Sequence, residues 1–204
     1  MFMEKKIITI SREFGSGGRT IGHAVAEKLG IPFYDKELVD HIALESGFAP
    51  HFIEEHGELA PGKSLFSYAF SHHAVPGVMN GLSTADFLWN VQCSVILQLV
   101  EKGPCVIVGR NADYILKDRK DCLHVFIHAD KAFRADRIVR LYGESEKAPE
   151  ARLQEKDRRR SVNYHHYTGG TWGLAQNYDI SLNSSVLGLD RCTDIIVDLA
   201  KGND

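Results

Sequence analysis

Residues 7–20, IITISREFGSGGRT, pass from apolar and β-branched side chains through a glycine-rich turn into a stretch with helical spacing. A strand that empties through glycines into a helix sets unpaired N–H groups and the positive end of the helix dipole at the strand's carboxyl edge, a geometry that attracts anions. Gly15, Gly17 and Gly18 allow the backbone to turn sharply and to approach a ligand with no Cβ in the way. Behind them, Ile21, Val25, Ala26 and Leu29 fall on one helix face. With Ser16 completing the turn, Arg19 and Thr20 add a guanidinium and a hydroxyl suited to a phosphate oxygen and a metal ion. The spacing approximates G-x-x-x-x-G-K-[ST], with Glu13 where a glycine and Arg19 where a lysine is required. Two other readings stay open here. One is a turn that merely packs strand on helix. The other is a dinucleotide loop in which Asp35, twenty residues beyond Gly15, meets a ribose hydroxyl.

Downstream, strand and helix patterns alternate. Strands are expected at 31–34, 104–108, 123–127 and 178–182, and helices at 35–47, 83–102, 130–141, 148–167 and 187–201. In the second helix Leu38, Ile42 and Leu44 are the apolar positions, and Ser83 or Thr84 caps the third. Alternation of this kind builds a parallel sheet with helices on both faces. A chain of 204 residues, 44% hydrophobic and 25% charged, suits one such domain with a full core. Residues 48–84, rich in Gly, Pro, Ser and His with scattered aromatics, read as short helices forming a flap over a site, and residues 148–172 as a basic lid.

Composition narrows the function. A net charge of −3 gives no general attraction to nucleic acid, so no nucleic-acid partner is expected. No apolar run is long enough for a membrane span or a secretory leader, so no membrane partner is expected and the protein is read as cytoplasmic. Four cysteines without a C-x-x-C pair suit a reducing compartment. His72 with His73 and His165 with His166 are adjacent pairs whose side chains diverge, so a metal held by protein ligands alone is not expected. Oligomeric state is not readable. Trp89 reads as core beside Phe87, Leu88 and Val91, and Trp172 as a lid anchor.

Two further groups lie past the carboxyl ends of expected strands, where α/β sheets present ligand-binding residues. Arg110 and Asn111 follow the strand PCVIV. The arginine fork suits an acceptor phosphate and the amide a sugar or base, although a turn arginine paired with a carboxylate such as Asp113 is the plainer reading. In the basic run, Arg158, Arg159 and Arg160 fan around a helix, so some of them meet a ligand or carboxylates. A cationic lid closing on transferring phosphates is one reading and a solvated charged face the other. Interleaved tyrosines and histidines leave RNA stacking as a minor option.

Together the segments ITISREFGSGGRTIG, AEKLGIPFYDKEL, VIVGRNADYIL, VFIHADKAFRADRI, DRRRSVNYHHYTGGTWG and YDISLNSS resemble the cytidylate kinase-like family, a branch of the P-loop nucleoside monophosphate kinases, over nearly the whole length. The resemblance implies a P-loop three-layer α/β sandwich with a five-stranded parallel sheet. It also implies an ATP site at the glycine loop, with Thr20 as the Mg2+-coordinating hydroxyl, an acceptor site beneath the flap and an arginine-rich lid. The implied activity is ATP-dependent phosphoryl transfer to a small acceptor such as CMP or dCMP. The implied site residues are Gly15 to Thr20 for the nucleotide, with Arg19, Arg158, Arg159 and Arg160 serving transfer. Asp35, Lys36, His41, Arg110 and Asn111 serve the acceptor. Departures are visible: Asn111 replaces an aspartate, Lys36 and His41 replace a serine and an arginine, and Lys156 replaces the first arginine of a lid R-D-x-R motif that continues with Asp157 and Arg159. A nucleotide-binding regulator that has lost transfer chemistry is the alternative.

Overall fold

The computed structural model describes residues 6–56 and 82–202, apart from the side chains of Lys36, Glu55 and His56. Five parallel strands form one sheet in the order β2-β3-β1-β4-β5: β1 Ile7–Arg12, β2 Phe33–Tyr34, β3 Cys105–Val108, β4 Cys122–His128 and β5 Ile180–Asn183. The helices are α1 Gly18–Leu29, α2 Lys36–Ser46, α3 Pro50–His56, α4 Thr84–Glu101, α5 Ala112–Ile115, α6 Lys131–Tyr142, α7 Pro149–Thr168, α8 Ser184–Leu187 and α9 Leu189–Lys201.

Strand period explains the layers. In β1 and β3, Ile7, Cys105 and Ile107 face a core built with Leu38, Ile42, Ile53, Leu88, Ile96 and Leu99 from α2, α3 and α4. Alternate residues, Ile8, Ile10, Val106 and Val108, face the opposite core with Ile21 and Val25 of α1 and Cys192 and Ile196 of α9. Strands buried on both faces read as unbroken apolar runs, as IITI and CVIV do. A third, smaller cluster joins α6 to α7 through Ala135, Ile138 and Leu153, with Phe14 of the glycine turn packed against it.

Most expected elements lie within a residue or two of their predicted bounds, and the departures have local causes. Leu44, expected in the core, is 83% exposed, because α2 buries Leu38, Val39, Ile42 and Ala43 and turns Leu44 to solvent. The second strand is only Phe33–Tyr34, and the last begins at Ile180 because Ala175–Asn177 is a turn of 3-10 helix. The terminal helix is broken at Gly188 into α8 and α9. Ser83 caps α4, its hydroxyl accepting from the Asp86 amide at 3.1 Å. Trp89 stacks face to face on Tyr167 of α7, with ring centroids 4.4 Å apart, and is only partly buried in the core where the sequence placed it. Of the flap, α3 is observed, while residues 57–81, His72 and His73 among them, lie outside the described residues.

Candidate active site

The end of β1 and the start of α1 make the site. Gly15 and Gly17 have φ of 82° and 87°, and Gly17 caps α1 in the left-handed conformation that an L side chain rarely adopts. Ser16 is buried and holds the turn closed, its hydroxyl donating to the carbonyls of Glu13 at 2.9 Å and Ile127 at 3.1 Å. Its amide closes the turn onto Glu13 at 3.3 Å, and the Phe14 amide donates to Asp157 Oδ1 at 2.7 Å. The amides of Gly15, Gly17, Gly18, Arg19 and Thr20 have no backbone acceptor among the described residues. They border a solvent-open cleft lined by the turn together with Arg12, Asp35, Arg137, Tyr142 and Arg160. Free donors at a helix start, ringed by guanidinium groups, fit a polyphosphate.

Electrostatic tethers hold this turn. Arg134, 5% exposed, donates to the carbonyls of Ala129 and Phe14 and to Asp157 Oδ2 at 2.6 Å, and lies 3.3 Å from Glu13. One guanidinium thus satisfies two carboxylates and two carbonyls at the base of the loop. One helical turn on, Arg137 donates to Thr20 Oγ1 at 2.8 Å. Arg19 pairs with Asp35 at 2.5 Å, so Asp35 stands in the glycine-loop cleft.

A second, smaller cavity lies past β1 and β3, lined by Ser11, Arg12, Gly109, Arg110, Asn111, Arg160, Asn163 and Trp172. Arg110 and Asn111 take the left-handed conformation, with φ of 59° and 53°, which costs roughly 1–3 kcal/mol per residue and concentrates at functional sites. Arg110 reaches across to α3. Its Nη1 donates to the Ile53 carbonyl at 3.3 Å, its own carbonyl accepts from Gln92, and Asn111 donates to Asn163 at 2.8 Å. Asp113 is 3% exposed and accepts from Ser11 Oγ at 3.0 Å, and its Oδ2 has no hydrogen-bond partner. Burial pushes its carboxyl above the usual range. The phenols of Tyr164 and Tyr178 are pushed up by burial and by the Asp113 charge beside them.

The three consecutive arginines separate. Arg160 lines both cavities and donates to the Arg12 carbonyl at 3.0 Å. Arg159 pairs with Glu155 at 2.6 Å, Arg158 is exposed, and neither lines either of these two cavities. His41 packs its ring against Tyr34 and lines neither of these cavities, and the Lys36 side chain lies outside the described ones. Trp172 meets Phe126 edge to face.

Sequence reasoning missed Arg12, Arg134 and Arg137. Arg12 ends a buried strand just as Val108 precedes Arg110. Arg134 and Arg137 sit three apart beside the apolar Ala135 and Ile138, on the face that α6 turns inward.

The parallel sheet, the glycine loop at the start of α1 and the guanidinium groups around it define a kinase-type P-loop α/β protein. A profile of the cytidylate kinase-like family matches residues 7–186, and the chain belongs to that family. Among solved structures, it is similar to an uncharacterized protein from Eubacterium ventriosum ATCC 27560, at 27% identity and a TM-score of 0.70, covering 96% of this chain and 98% of that one. Shikimate kinase from Acinetobacter baumannii in complex with shikimate shares the fold at 16% identity and a TM-score of 0.56, covering 98% and 95%. A gluconokinase from Sinorhizobium meliloti 1021 shares it at 17% and 0.52, covering 99% and 92%. No curated protein matches the chain. Among the described residues no helix is long and apolar enough to cross a membrane, and no group of three or more His, Cys, Asp or Glu side chains is placed to hold a metal ion.

Proposed function

We propose that the protein transfers the γ-phosphoryl group of ATP to a small anionic acceptor, a nucleoside monophosphate such as CMP or dCMP being the first choice. The observation that carries the reading is the set of amides of Gly15, Gly17, Gly18, Arg19 and Thr20, without backbone acceptors among the described residues, facing a cleft that shares Arg12 and Arg160 with a second cavity containing Arg110 and Asn111. The loop amides and Arg19 bind the polyphosphate tail. Thr20 would hold a Mg2+ ion together with the nucleotide, and that ion would supply neutralisation of the phosphate charge. Arg110 and Asn111 receive the acceptor, and Arg160, at the wall common to both cavities, stabilises the charge that spreads over the phosphoryl oxygens. A single arginine in such a role is worth on the order of a thousandfold in rate.

Titration calorimetry with Mg-ATP is expected to show binding. A panel of CMP, dCMP, UMP and other small phosphates is expected to include an acceptor that raises ADP release above the hydrolysis background. Binding without acceptor-dependent release across such a panel favours the regulatory reading, and absence of nucleotide binding ends both.

A further inference from the structure

The glycine loop has no lysine, and Arg19, which stands where one register of the phosphate-loop pattern requires it, is engaged by Asp35. The geometry of the loop points to another register. Gly17 caps the helix and Gly18 is its first residue, so Gly17-Gly18 occupies the place of G-K in G-x-x-x-x-G-K, and the first glycine of the pattern falls on position 12. Position 12 holds Arg12, and position 18 holds glycine. A Cβ built on Gly18 would lie 2.6 Å from Arg12 Cβ and 3.0 Å from Arg12 Cγ, so the two positions compete for one space and only one of them can carry a long side chain. The guanidinium runs on to the acceptor turn. There a Cβ on Gly109 would lie 2.1 Å from Arg12 Nη1, so the turn is glycine where Arg12 crosses it. Arg12 lines the glycine-loop cleft and the second cavity alike.

We propose that Arg12 is the cation that grips the terminal phosphate of the bound nucleotide, the lysine and first glycine of the usual loop having exchanged places as Arg12 and Gly18. This rests on the kinase reading above and adds to it a named contact. The loop amides and the start of α1 hold the inner phosphates, while a guanidinium lying between the two cavities meets the group in transfer. A planar fork can bridge donor and acceptor oxygens together, which a single ammonium does less well.

The discriminating measurement is the ratio of Mg-ATP to Mg-ADP affinity by titration calorimetry, with thermal unfolding run beside it. In Arg12→Gly, ADP affinity is expected to stay within about threefold of the wild type, while ATP affinity falls about ten- to a hundredfold, the worth of a charge-assisted hydrogen bond. Arg12→Met keeps the aliphatic stem packed over Gly18 and removes only the charge. It is expected to show the same ATP-specific loss and serves if the glycine variant does not fold. Gly18→Lys alone is expected to lower stability and ATP affinity, because Arg12 fills its space. In the double variant Arg12→Gly with Gly18→Lys, ATP affinity is expected to return to within about tenfold of the wild type. An unchanged ATP-to-ADP ratio in both Arg12 variants of a wild type that binds ATP overturns the proposal and leaves the kinase reading standing. So does loss of that ratio in Arg19→Ala instead. A wild type that binds neither nucleotide overturns the kinase reading, and the proposal with it.

Discussion

Arg134 is nearly inaccessible, yet it holds the glycine turn to both α6 and α7. Removing it strands the carboxylates of Glu13 and Asp157 in a partly desolvated place, and breaking a buried ion pair from one side costs about 3–5 kcal/mol. Arg134→Ala is therefore expected to lower the thermal midpoint by about 10 °C in a domain of this size. Arg134→Lys should recover part of that loss, since one ammonium satisfies fewer of the four acceptors. A midpoint within about 2 °C of wild type in Arg134→Ala would mean the network adds nothing to stability. Asp113 makes a pH-dependent case. Its carboxyl titrates higher in the folded protein than in the unfolded chain, so folding takes up a proton between those two values. Its contribution to stability is complete below the unfolded value near 3.9 and is lost as pH rises through the folded one. Asp113→Asn keeps an oxygen to accept from Ser11 and loses the titration. Thermal midpoints from pH 4 to 7 should thus show the variant gaining on wild type as pH rises, and a constant difference would contradict the assignment.

Helix α7 shows what a sequence does and does not disclose at the scale of an element. Its residues Asp157, Arg160, Asn163 and Tyr167 follow a helical spacing of three, three and four, and each meets the body of the protein, at Phe14, Arg12, Asn111 and Trp89 in turn. The basic run announced a helix and marked its arginines as candidates. Which of the three faced inward depended on the rotation of the helix, and that rotation is set by packing around Leu153 and Tyr164 that no local pattern encodes. By contrast, β1 and α1 were legible because a fully apolar strand, glycines and a 3.6-residue stripe allow few alternatives. The tethers from α6 were not legible, since arginines on an amphipathic helix look solvated until the partner carboxylates are located in space. The rotation also orders the expected variants. Arg159→Ala removes an exposed pair with Glu155, worth about 0.5 kcal/mol or less, and should leave nucleotide affinity near wild type. Arg160→Ala, at the shared wall of the two cavities, should depress acceptor-dependent turnover by at least about a hundredfold. Equal effects from the two in the same assay would contradict the orientation of α7.

For the molecule as a whole, a net charge of −3 coexists with Arg12, Arg19, Arg137 and Arg160 converging on one cleft. Among the described residues these guanidinium groups gather at the carboxyl edge of the sheet, where β1 and β3 end side by side. The same arrangement fixes what can move. Because α7 is fastened at four successive points, from the glycine loop to the aromatic stack on α4, swinging it aside would break all of them at once. We therefore expect it to behave as a lintel over the site and not as a door, with small molecules passing beneath it. Indole emission from Trp89, pressed flat on Tyr167, should accordingly hold steady when Mg-ATP is added, measured with Trp172→Phe to silence the other tryptophan.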